Sequence, residues 1–87
     1  MSYEVVWGPR AEGMLATAWL DASDRNAVTY AAAGLDAQLA DDPLRLGESR
    51  KSSVHRVAYF TPLGVEFEVV EDDKRVIVQG VFTISKN

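Results

Sequence analysis

The side chains with the most chemistry to offer sit together in the middle of the chain. Gly47-Glu48-Ser49-Arg50 lies among Arg45, Lys51 and Arg56, with the single histidine, His55, beside them. Arginine forks match phosphate geometry, and a local cluster of them can hold a phosphodiester. A carboxylate amid such cations has the form of a general base for a ribose 2′-hydroxyl, and a neighbouring histidine could serve as general acid. On that reading Glu48, Arg50 and Arg56 are the candidate catalytic residues, and Arg45, Lys51 and His55 the candidate RNA or phosphate contacts. The competing reading is a solvated loop and strand edge whose charges form surface ion pairs of little energetic weight.

This cluster is a basic island in an acidic chain. Residues 1–44 carry two basic and seven acidic groups, net −5; residues 45–62 carry four and one, net +3; residues 63–87 carry three and five, net −2. The whole chain of 87 residues has a formal charge of −4, which argues against capture of nucleic acid by its entire surface. Cysteine is absent, so neither a disulfide framework nor a thiolate metal site is available. One histidine does not build a zinc site, and no metal or cofactor is expected. Phosphate-loop, zincin, nucleophile-elbow and EF-hand motifs are all missing. No apolar run approaches the ~20 residues of a membrane span. The first residues lack a basic stretch followed by an apolar one, so a cytoplasmic location is the expectation.

The elements that must position the island follow from periodicity. Tyr3-Glu4-Val5-Val6-Trp7 reads as a strand stopped by Gly8-Pro9. Pro9 suits the first position of a helix, and Ala11, Met14, Leu15, Ala18, Trp19 and Ala22 then make one apolar stripe. Trp7 and Trp19 both read as core residues on these faces. Ser23 and Asp24 are N-cap candidates for a second helix with Val28, Ala31, Leu35 and Leu39 on one face, ended by Asp41-Asp42-Pro43. Leu44 to Ser53 reads as a polar connection, Val54 to Phe60 as a strand, and Thr61 to Gly64 as a turn. Val65, Phe67 and Val69 alternate with Glu66 and Glu68, a half-buried strand with an acidic outer face. Glu71 to Lys74 is a hairpin loop, and Val76 to Ile84 a near-continuous apolar strand.

The order β-α-α-β-β-β implies one α+β domain over residues 1–87: a small antiparallel sheet with an N-terminal β-strand and an αα-hairpin packed on one face. Short loops make the last three strands a meander; spacing does not say where the first strand joins. Along the last strand, simple alternation puts Ile77 and Val81 on one side and Val76, Val78 and Phe82 on the other. Both sides are apolar and only one can face the helices, so Ile77, Val81 and Phe82 are candidates for contact with a partner.

The element order, the Asp42-Pro43 close of the second helix, and the strand–acidic turn–strand stretch from Phe67 to Val78 together resemble the RelE/ParE superfamily of bacterial type II toxins, plasmid stabilisation proteins among them. Gly47-Glu48-Ser49-Arg50 looks like a loop found in one branch. The resemblance covers nearly the whole chain. It implies a toxin partnered by an antitoxin from an adjacent gene and able to inhibit growth. RelE-like members cleave mRNA on the ribosome; ParE-like members inhibit DNA gyrase. Arg56 matches a strand arginine of the family, and Glu48 loosely matches a loop glutamate used as a base. Gly64 stands where an arginine often opens the next strand, and Phe82-Thr83-Ile84 where many nucleases carry catalytic side chains. The resemblance therefore implies either a toxin acting by protein contact, on an antitoxin or on gyrase, with a degenerate ribonuclease site, or a ribosome-dependent mRNA endoribonuclease working through the basic island. A homodimer through the apolar strip is a further expectation.

Overall fold

β-branched and aromatic runs become strands, and two alanine-rich stretches at helical spacing become helices. The computed structural model describes residues 2–43 and 55–84, and residues 48–49 through their backbone. The elements are β1 (Glu4–Trp7), α1 (Pro9–Asp21), α2 (Arg25–Asp41), β2 (Glu48–Ser49), β3 (His55–Phe60), β4 (Leu63–Val70) and β5 (Arg75–Thr83). They form one sheet in the order β1-β5-β4-β3-β2. β3, β4 and β5 make the antiparallel meander. β1, whose seat the spacing leaves open, lies against β5 and runs parallel to it, so the sheet is mixed rather than wholly antiparallel. A parallel neighbour needs a crossover, and the αα-hairpin supplies it. Within the connection expected to be irregular, Glu48 and Ser49 pair with Val57 and Arg56 as a short edge strand.

The helices begin and end where their sequences dictate. Pro9 opens α1, and the Gly8 amide donates to the Val78 carbonyl at 3.0 Å, tying the start of the helix to β5. Asp24 caps α2 by accepting from the Ala27 amide at 3.2 Å. α1 has no basic residue in its last turn and ends in Asp21, an unfavourable charge at the negative end of a helix dipole. Arg25 compensates from the next helix. Its Nε and Nη2 donate to the carbonyls of Trp19 and Leu20, each at 3.2 Å, and its guanidinium stacks 4.6 Å from the Trp19 ring centre. In the 71–74 turn, Lys74 takes the left-handed conformation with φ 51°.

Both helices cover one face of the sheet. Val28, Ala31, Leu35 and Leu39 of α2 and Ala11 of α1 are buried against Val65, Phe67 and Val69 of β4 and Val76, Val78 and Val81 of β5. Trp7 packs at the rim of this cluster and donates to Asp36 at 2.9 Å. Trp19, expected in the core, is instead 39% exposed, with its indole N–H donating to Thr29. It lies across the outside of the hairpin, where the indole nitrogen and Arg25 both find polar partners.

Val81 corrects the strand alternation. Glu66 pairs with Gly80 but Phe67 with Val78, so Gln79 is an extra residue in β5 and the ladder shifts by one. Val76, Val78 and Val81 then share the helix side, and Val81 is 3% exposed. Ile77 and Phe82 fall on the other side, by their pairing with Glu68 and Gly64.

Two glycines give a test of this packing. Both sit inside helices, where replacing glycine by alanine ordinarily stabilises by about 1 kcal/mol. A Cβ at Gly13 meets nothing within 4 Å, whereas one at Gly34 would overlap the Phe60 ring. Gly13→Ala is therefore expected to raise the urea midpoint, and Gly34→Ala to lower it by about 1–3 kcal/mol of stability, since overpacking outweighs propensity. Equal effects from the two substitutions would contradict the close approach of α2 to β3.

Candidate functional site

Strand register separates the island's described members. β3 pairs residue by residue with β4, without a bulge. His55 stands opposite Glu68 and Arg56 opposite Phe67, so the two side chains leave opposite faces of the sheet. Arg56 emerges on the helix-covered side, half-buried, and its Nε is buried with no hydrogen-bond partner. His55 emerges, also half-buried, on the side away from the helices, called the open face below. They are not brought together on one reacting group. Glu48 lies in β2 opposite Val57. Arg45, Arg50 and Lys51 fall outside the described residues.

The open face has its own pattern. At one end, Tyr59, Gly64 and Phe82 lie side by side across β3, β4 and β5. Phe82 lies across Gly64, where any Cβ would run into its ring. The Tyr59 and Phe82 rings meet edge to face, with centres 6.0 Å apart. Tyr59 remains 49% exposed and Phe82 38%. The next row is Val57, Glu66 and Gly80. Glu66 Oε1 lies over Gly80, 2.9 Å from where a Cβ would stand. The row after holds His55, Glu68 and Ile77, flanked by Val6 on β1. Glu68 accepts from Gln79 Nε2 at 3.1 Å. At the far end Glu4 and Arg75 form an exposed ion pair at 3.5 Å.

The pattern of Glu66 and Glu68 on an outer face was readable from alternation alone. The aromatic pair was not. Tyr59 and Phe82 lie on strands two apart, and the bulge that turns Phe82 toward Tyr59 has no local signature. Phe82 also borders a groove of about 1240 Å³ beside α1, lined in part by Met14, Ala18, Val28 and Pro62. Among the described residues no group of three or more His, Cys, Asp or Glu could hold a metal ion. Neither helix is long and apolar enough to cross a membrane.

The fold has counterparts in solved structures. A chain of the toxin–antitoxin complex RelBE2 from Mycobacterium tuberculosis superposes with a TM-score of 0.77 over 95% of this chain and 99% of its own, at 15% identity. The isolated E. coli RelE toxin gives 0.68 over 99% and 88%, at 12% identity. A chain of the chromosomal ParDE toxin–antitoxin system of P. aeruginosa gives 0.65 over 97% and 98%, at 12% identity. The chain has the RelE/ParE fold. No protein-family model matches the sequence, and no curated protein matches it.

Arg56 gives the second test. A half-buried guanidinium whose Nε lacks a partner contributes little stability, and an apolar residue of similar length often replaces it without loss. Arg56→Met is expected to leave the urea midpoint unchanged or raise it by up to about 1 kcal/mol of stability. A loss above about 2 kcal/mol would mean that the guanidinium is well paired in the folded protein.

Proposed function

We propose that this chain is the toxin of a type II toxin–antitoxin pair and that it acts by protein contact, on its antitoxin and on a cellular target such as DNA gyrase, rather than by cutting RNA. The similarity to RelE and ParDE chains over nearly the whole length supports the toxin reading. The contact reading is carried by one observation: the open face presents Glu66 and Glu68, while Arg56 points to the helix-covered side. A ribonuclease site must gather positive charge around a phosphate and hold it there as charge develops in the transition state. Two carboxylates repel that phosphate. An arginine on the far side of the sheet cannot reach it.

The alternative, a ribosome-dependent mRNA endoribonuclease, draws on the basic island around Glu48, Arg50 and Lys51. Toeprinting of mRNA on stalled ribosomes separates the two. The wild-type chain is expected to slow growth when expressed, to be neutralised by and co-purify with the product of an adjacent small gene, and to leave A-site mRNA uncut. A-site cuts by the wild type that Arg56→Ala fails to make would establish the nuclease instead, because loss of a phosphate-binding arginine typically costs about 10²-fold or more in rate. Recovery of the two gene products as separate, non-interacting species would remove the antitoxin pairing.

A further inference from the structure

The open face combines exposed aromatic surface with two carboxylates, Glu66 and Glu68, with Arg10 Nη1 reaching the rim beside Gly80. Tyr59 and Phe82 are 49% and 38% exposed, in a setting where aromatic rings commonly anchor protein contacts. Gly64 lets the Phe82 ring lie down on the sheet, and Val6 and Ile77 extend the apolar surface toward β1. Glu66 and Glu68 rise between these two apolar areas, and among the described residues neither forms an ion pair. The chain as a whole carries a charge of the same sign, a formal −4.

We propose that the open face is the docking surface for a basic segment of a protein partner. The segment lays arginine or lysine side chains against Glu66 and Glu68 and apolar side chains against the Tyr59–Phe82 pair. Charge complementarity selects this occupant. The two carboxylates attract a cationic segment and repel an acidic one or a nucleic acid, and the ring faces add a further attraction for a guanidinium. The inference rests on the contact reading of the chain's action and names the chemistry of what it contacts.

The probe is a short synthetic peptide of alternating arginine and leucine, compared with its counterpart carrying glutamate for arginine. Both are titrated into the ¹⁵N-labelled full chain. The arginine peptide is expected to shift the amide signals of Tyr59, Gly64, Glu66, Gly80 and Phe82, and to bind more weakly as salt is raised. Glu66→Gln combined with Glu68→Gln keeps the shape of both side chains and is expected to weaken binding about tenfold. Glu66→Lys alone should also weaken it at least as much, and the amide spectrum away from the face reports that each variant is folded. Tyr59→Ala should weaken binding without changing its salt dependence. Equal binding of the glutamate peptide, shifts confined to other surfaces, indifference to the glutamate substitutions, or displacement of the arginine peptide by a short single-stranded RNA would each overturn the proposal. Growth arrest is scored separately. Its absence with peptide binding intact would remove the toxin reading and leave the docking surface standing.

Discussion

Much of the molecule depends on one extra residue in the last strand. The Gln79 bulge lets Val76, Val78 and Val81 all point beneath the helices, although strict alternation would send Val81 to the opposite side. The same shift brings Phe82 over Gly64 and against Tyr59. A bulge leaves backbone groups out of the regular ladder, and here Arg10 Nη1 takes up the Gln79 carbonyl, donating to it at 3.4 Å. The Gln79 side-chain amide donates across the sheet to Glu68. The core under α1 and the aromatic end of the open face are thus two results of one irregularity.

Legibility in the sequence followed the range of the interactions involved. The α2 face of Val28, Ala31, Leu35 and Leu39 was read correctly because helical spacing is local and all four are fully or almost fully buried. The Asp24 cap and the 71–74 hairpin were likewise local signals. Three features were not local. The parallel seat of β1 on β5 joins residues about seventy positions apart. The bulge is visible only once β4 is laid beside β5. Trp19 carries an apolar ring, but its exposure is set by Thr29 and Arg25 on another helix. For the candidate site, residue types marked the basic island, but whether His55 and Arg56 could cooperate depended on strand faces. A regular β3 sends them apart.

Charge is distributed by element rather than evenly. Glu66 and Glu68 occupy the middle of the open face, Glu4 is met by Arg75 at its edge, and Asp36 is engaged by the Trp7 indole at the core rim. Arg25 sits at the end of α1, where its guanidinium offsets both unsatisfied carbonyls and the helix dipole. Arg75 lies at one edge of the open face, and Arg10 Nη1 reaches the other side of it beside Gly80 and Glu66.

The pairing of the first strand with the last has a consequence for synthesis. α1 packs chiefly on β5, and α1 is complete at Asp21 while β5 begins only at Arg75. At ribosomal speeds of roughly 5–20 residues per second, the apolar stripe of α1 waits about 3–10 s after it is made before its floor exists. During that interval β1 has no neighbour to pair with, and the helical hairpin lacks part of the surface it needs for stability. A nascent chain interrupted just before β5 thus carries both helical segments but neither a closed core nor the aromatic end of the open face. The finished surface arises late and all at once, with the emergence of a single strand.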